Sequence, residues 1–219
     1  MELAELKPDL FIEVTNGMGI DVKMQYPLLG MKHAEKRCLM RKEVYKRLLK
    51  AQESLPEGYF IRVWDAWRPF KLQEELYYVY RERIIKEFRL QGLSEEEQNR
   101  EISNFVALPN PAPERVPTHT TGGALDVTLI DGEGRELDMG TAFDAFTPEA
   151  YADYYEKEEV AVKPEYEKIR RNRRMLYDAM LGAGFTGISS EWWHFDYGDR
   201  LWAQHTGEIV KYGGVFEIA

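Results

Sequence analysis

The chain has 219 residues, 44% apolar and 31% charged, the composition of a folded globular protein with material for one sizeable core. Its 29 basic and 38 acidic residues leave a formal charge of −9, which repels nucleic acid and anionic membrane surfaces and argues against non-specific binding to either. The single cysteine, Cys38, rules out an intrachain disulfide scaffold.

The stretch from Met1 to Lys7 is acidic and mixed, with neither the basic nor the apolar region of a signal peptide. No apolar run approaches the roughly 20 residues of a membrane helix, so a cytoplasmic protein is the expectation. Cys38 is expected as a small core residue just before the first helix. Val44, Leu48, Ala51 and Leu55 follow a 3.6-residue period and predict a helix over 41–55, stopped by Pro56 and Gly58. Residues 60–66 read as a strand that ends at Trp67-Arg68-Pro69. Leu76, Tyr80, Ile84 and Phe88 predict a second long helix over 70–90. Ser94 followed by Glu97 opens a short acidic helix. Prolines 109, 111, 113 and 117 then make an extended loop, a candidate lid over 91–117.

Residues 123–129 read as a buried strand, with Leu125, Val127 and Leu129 on one face and Ala124, Asp126 and Thr128 on the other. Asp131-Gly132-Glu133-Gly134 is a turn. A third long helix is predicted over 164–182, opened by Pro164 and closed by Gly182 or Gly184. Its run Arg170, Arg171, Arg173 and Arg174 is expected as a mostly solvated face. Residues 192–197 form an aromatic strand. The mixture, without a regular strand-helix rhythm, predicts one α+β domain over 1–219, with a central, mostly antiparallel sheet flanked by helices.

Two of the four histidines, His119 and His194, stand in unusual company. Asp126 lies in the middle of an apolar strand, where a carboxylate needs a partner or a metal. Hydrogen bonds from threonine or backbone amides would serve. So would His119, because Gly122-Gly123 permits the chain to fold back tightly. Two imidazoles and one carboxylate are a catalytic zinc set with an open position for water, and His194 supplies the second imidazole. Glu191 then reaches the same metal if the chain bends near Trp192-Trp193 or if Glu191 precedes the strand, and it would take a proton from the metal's water. Otherwise Glu191 is an exposed acid beside a core histidine. Arg68 is placed to stabilise an oxyanion or to pair with Asp65. His33 and His205 read as ordinary surface or core histidines.

Four separated segments carry a family resemblance: Asp65-Ala66-Trp67-Arg68-Pro69, His119-x-x-Gly122-Gly123-Ala124-x-Asp126, Met139-Gly140-Thr141-Ala142-Phe143-Asp144, and Glu191-Trp192-Trp193-His194. Over roughly residues 20–205 the chain resembles the D-alanyl-D-alanine dipeptidases, the group that includes the vancomycin-resistance dipeptidases, within the zinc D,D-peptidases of hedgehog-like fold. The resemblance implies one zinc per chain on His119, Asp126 and His194, with Glu191 as base and Arg68 steadying the transition state. It implies that Asp144 takes the free ammonium of a small D,D-dipeptide. Two positions depart from the family pattern. Pro117 stands where many members have serine, leaving Thr118 to supply a hydroxyl for the substrate carboxylate. Met24 follows Asp21-Val22-Lys23 where many have tyrosine, with Tyr26 as the substitute. A D,D-carboxypeptidase acting on peptidoglycan stems would share the metal site, and a non-catalytic zinc or peptide-binding module would be expected to lose Glu191 or Arg68.

Overall fold

The computed structural model describes residues 11–103, 106, 109–112 and 115–218. The acidic stretch at the start of the chain and Pro113 lie outside the described residues. The strands are β1 (Phe11–Val14), β2 (Asp21–Val22), β3 (Cys38–Arg41), β4 (Tyr59–Asp65), β5 (Ala124–Asp131), β6 (Thr186–Gly187) and β7 (His194–Asp196). The α-helices are α1 (Gln25–Leu28), α2 (Lys42–Ser54), α3 (Phe70–Glu87), α4 (Glu95–Ile102), α5 (Glu158–Ala161), α6 (Glu167–Gly182) and α7 (Arg200–Thr206). A five-stranded sheet runs in the order β2-β4-β5-β7-β6, and β1 pairs with β3 beside it. The β2–β4 pair is parallel and the other pairs are antiparallel. The mixed α+β class and the mostly antiparallel sheet match the sequence expectation.

The long elements form where apolar periodicity is strongest. On α2, Val44, Leu48 and Ala51 are fully buried and pack the helix against α6, which contributes Leu176, Ala179 and Met180. Leu125, Val127 and Leu129 of β5 sit in the same core. Each such side chain contributes roughly 1.5–3 kcal/mol by leaving water. Leu72, Leu76, Tyr80 and Ile84 of α3 form a second cluster with Ile102 of α4 and with Tyr26. Phe88 falls outside this stripe because the helix ends at Glu87 and Arg89 turns left-handed. Ser94 and Glu97 make the reciprocal capping box that the sequence announced for α4. Cys38 is a buried free thiol on β3, the strand that leads into α2.

Two details differ from expectation. The strand predicted over 192–197 is regular only from His194, because Trp192 and Trp193 lie in a bend. The arginine run is not uniformly solvated. Arg171 and Arg174 are exposed, but Arg173 keeps only 6% of its surface. Its guanidinium donates to the carbonyls of Met139, Glu149 and Tyr151 at 2.7–2.9 Å and lies over the rings of Tyr155 and Trp192. One rigid fork thus satisfies three carbonyls of the 139–151 loop, which has little regular structure of its own. His33 also finds a partner, its Nδ1 lying 3.0 Å from Glu75 Oε2.

Arg173→Ala strands those three carbonyls and is expected to lower stability by about 2–4 kcal/mol. Arg171→Ala is expected to stay within about 0.5 kcal/mol of the parent. Urea denaturation of the two variants side by side tests the difference, and equal midpoints would contradict the clamp.

Candidate active site

The sheet register builds the centre of the site. Asp126 of β5 pairs with His194 of β7 on one side and with Asp65 of β4 on the other. Cross-strand partners share a face, and a register shift between Val63 and Asp65 turns Asp65 onto it. The third element is a 3-10 turn over Thr118–Thr121, which carries His119. That turn ends at Gly122 in the left-handed region, where a Cβ would lie 2.4 Å from the Phe11 ring. A Cβ on Gly123 would lie 2.5 Å from the Tyr197 carbonyl oxygen. Only glycines let the chain double back here and bring His119 over Asp126.

Three donor atoms converge as a result. His119 Nε2 lies 3.2 Å from His194 Nδ1 and 3.3 Å from Asp126 Oδ1, and His194 Nδ1 lies 3.1 Å from that same oxygen. Donors held about 2.0–2.1 Å from a tetrahedral zinc stand about 3.3 Å apart, so the separations fit such an ion. The outward nitrogens fit as well. His119 Nδ1 donates to the Ala66 carbonyl at 2.8 Å, and His194 Nε2 lies 2.8 Å from Asp196 Oδ1. These bonds fix the tautomers that turn both lone pairs inward, the usual outer partnership of metal-binding histidines.

The electrostatics favour positive charge at this point. Burial disfavours ionisation of Asp126, but His119 and His194 outweigh it and hold its carboxyl well below the usual range. Burial disfavours an imidazolium at His194, but Asp196 and Asp126 outweigh it and hold its pKa well above the usual value. Behind Asp196 lies Asp199, fully buried. Burial and the neighbouring Asp196 charge push the Asp199 carboxyl well above the usual carboxylate range.

Glu191 precedes the bend, and its Oε2 lies 4.0 Å from His194 Nδ1. It stands beside the three donors without joining them. Burial among the other carboxylates pushes its carboxyl up to about 8. A dication on the neighbouring donors would pull it back toward neutrality. Arg68 reaches the same space and is buried. Its Nε donates to Asp65 Oδ2 at 2.9 Å, and its Nη2 lies 3.1 Å from the Tyr26 hydroxyl and 3.4 Å from Asp126 Oδ2. The pairing with Asp65 is present, and Arg68 also lines the cavity that the three donors face.

Asp144 has a φ of 53°, a left-handed conformation that aspartate tolerates better than most residues. The Tyr80 hydroxyl donates to Asp144 Oδ2 at 2.5 Å. Burial pushes the Asp144 carboxyl up to about 6. Tyr26, Arg68, Thr118, His119, Asp126, Asp144, Glu191 and His194 all line one cavity of about 420 Å³, within the range of small-molecule sites. Ser103 and Val106, from the segment considered as a lid, also line it.

Sequence reasoning missed several participants. Tyr80 looked like one more residue of an apolar helical stripe. Gln73, which accepts from Arg68 Nη1 at 2.8 Å, gave no signal. Asp196, two residues past His194 on the same strand face, was recoverable from strand periodicity. Arg200, on the cavity wall, was not.

Two histidines and a carboxylate at metal-ligand spacing, with a buried acid and a guanidinium alongside, define the class as a hydrolytic metalloenzyme. The comparisons narrow it. A family model described as D-ala-D-ala dipeptidase matches residues 13–211. The chain is 35% identical over 176 residues to a D-alanyl-D-alanine dipeptidase of Synechocystis, covering 75% of this chain and 71% of that one. It is 29% identical over 201 residues to a D-alanyl-D-alanine dipeptidase of Escherichia coli, covering 90% and 83%. Among solved structures, it is 15% identical to a mutant of the vancomycin-resistance D,D-pentapeptidase VanY in complex with Zn(II), with a TM-score of 0.42 and coverage of 91% and 92%. It is 16% identical to VanYB in complex with D-alanine-D-alanine, with a TM-score of 0.44 and coverage of 91% and 90%. The chain belongs to the D-ala-D-ala dipeptidase family of peptidases. No helix among the described residues is long and apolar enough to cross a membrane.

Folded Asp144 keeps its proton to about pH 6, whereas an ordinary aspartate loses it near 3.8. The folded state therefore binds more protons between those values. Its contribution to stability is full below about pH 3.8 and is lost as pH rises through about 6. In chelator-treated protein, Asp144→Asn is expected to gain stability relative to the parent as pH rises from about 4 to about 7. Urea midpoints across that range test it, and a constant difference would contradict it.

Proposed function

We propose that residues 1–219 form a single-domain, zinc-dependent D,D-dipeptidase that hydrolyses D-alanyl-D-alanine. His119, Asp126 and His194 would hold one zinc. The observation that carries this is the set of three donor atoms 3.1–3.3 Å apart, with the outward nitrogens of both imidazoles already tied to oxygen acceptors. The ion supplies Lewis acidity, polarising the scissile carbonyl and lowering the pKa of bound water toward neutrality.

The remaining work falls to the chain's own side chains. Glu191 acts as general base during attack and then passes the proton to the leaving amine. The Arg68 guanidinium, held in place by Asp65 and Gln73, offers positive charge to the developing oxyanion without reorganising. Asp144, steadied by the Tyr80 hydroxyl and facing Tyr26, takes the substrate's free ammonium. An N-blocked or longer peptide brings no charge to that point and leaves the carboxylate without its counter-ion. That favours a dipeptidase over a carboxypeptidase working on stem peptides. Thr118, which lines the same cavity, offers a hydroxyl to the substrate carboxylate. The cytoplasm is the compartment in this proposal, in keeping with a chain of one cysteine.

The test is release of D-alanine from D-alanyl-D-alanine by zinc-loaded protein. Glu191→Gln is expected to lower kcat by about 100- to 10,000-fold while zinc remains bound. The N-acetylated dipeptide is expected to resist cleavage. Cleavage of the blocked dipeptide or of a pentapeptide stem at a similar rate would move the assignment to a carboxypeptidase. Full activity in the Glu191 variant would remove that residue from the chemistry.

A further inference from the structure

The cavity holds one cation that the proposed chemistry does not use. Arg200 is the first residue of α7 and lines the cavity wall. Arg68, by contrast, is already engaged by Asp65, Asp126, Gln73 and Tyr26. Among the described residues Arg200 makes no salt bridge, and its recorded hydrogen bond runs from Nε to the Val116 carbonyl at 3.2 Å. A guanidinium has five N–H donors, so most of this fork is left for a ligand.

Its position is fixed from both ends. The Asp199 side chain caps α7 by accepting from the amides of Leu201 and Trp202 at 2.9 and 3.0 Å. Trp202 in turn is buried, and its indole N–H donates to the Gly184 carbonyl at 3.0 Å. The bond to Val116 ties the head group to the chain two residues before Thr118, which also lines the cavity. Arg200 therefore belongs to the wall of Thr118, whereas Asp144 is held by Tyr80 of α3.

A free dipeptide carries one charge of each sign. The carboxylates of Asp144, Asp126 and Glu191 already line the cavity, so an added substrate carboxylate needs a cation of its own to be buried. We infer that Arg200 receives the α-carboxylate of the substrate through charge-assisted hydrogen bonds, so that this chain selects peptides with a free C-terminal carboxylate as well as a free ammonium. The inference rests on the dipeptidase proposal. An ion pair at each terminus of the substrate would then select for its length as well as its charge.

The experiment compares D-alanyl-D-alanine with D-alanyl-D-alaninamide, which has the same scissile bond and no carboxylate. Zinc-loaded parent, Arg200→Ala and Arg200→Lys are assayed on both, with zinc content and circular dichroism as controls for folding. The parent is expected to prefer the acid. In Arg200→Ala, kcat/KM for the acid is expected to fall about 10- to 100-fold, chiefly through KM, while that for the amide changes by less than about threefold. Arg200→Lys is expected to recover part of the preference, since it keeps the charge and loses the fork. An acid-to-amide ratio in Arg200→Ala equal to the parent's would overturn the role of Arg200 and leave the dipeptidase proposal standing. Failure of the folded, zinc-loaded parent to cleave either compound would overturn both.

Discussion

Buried negative charge is the constraint on which the rest of the site depends. Asp65, Asp126 and Asp196 are each at most 2% exposed and lie close together on and beside one face of the sheet. Glu191 and Asp144 face the same cavity. Carboxylates at this depth are costly unless positive charge compensates them. Arg68 compensates Asp65 and reaches Asp126. Asp199, beside Asp196, is pushed well above the usual carboxylate range by burial and by that neighbouring charge. A dication held by His119, Asp126 and His194 would complete the balance, since the two inward imidazole lone pairs need an electrophile.

The fold supplies this arrangement with backbone rather than with flexible side chains. Adjacent strands set the Asp65–Asp126–His194 row. Closely packed glycines return His119 over that row. The loop that bears Asp144 is pinned by Arg173 from α6, so this part of the cavity wall is held by a residue that does not line the cavity. Gly140 in that loop has a φ of 85°, and a Cβ there would lie 2.3 Å from the Tyr155 hydroxyl. The glycine beside Met139 thus answers to packing, and the aspartate that follows in the same motif answers to the cavity.

Much of this was legible in the sequence because long elements carry their own periodicity. The helices near 42–54, 70–87 and 167–182 and the strands near 59–65 and 124–131 followed from it. The four motif segments named six residues, Arg68, His119, Asp126, Asp144, Glu191 and His194, that the fold gathers around one cavity. The short strands β1, β2 and β3 escaped because two to four residues are too few to show a period. Arg173 was misjudged because a charge run says nothing about which member turns inward. Tyr80 and Arg200 were invisible for a related reason: their roles depend on partners 64 and 84 residues away in the chain, a distance no local pattern spans.

The central claim is that one zinc is held by His119, Asp126 and His194, and zinc-edge X-ray absorption of the chain loaded with one equivalent of metal tests it most directly. The account predicts nitrogen and oxygen neighbours at about 2.0–2.1 Å, with outer-shell scattering from two imidazoles that falls to one in His194→Ala. A sulfur neighbour, or an unchanged two-imidazole signal in that variant, would contradict it.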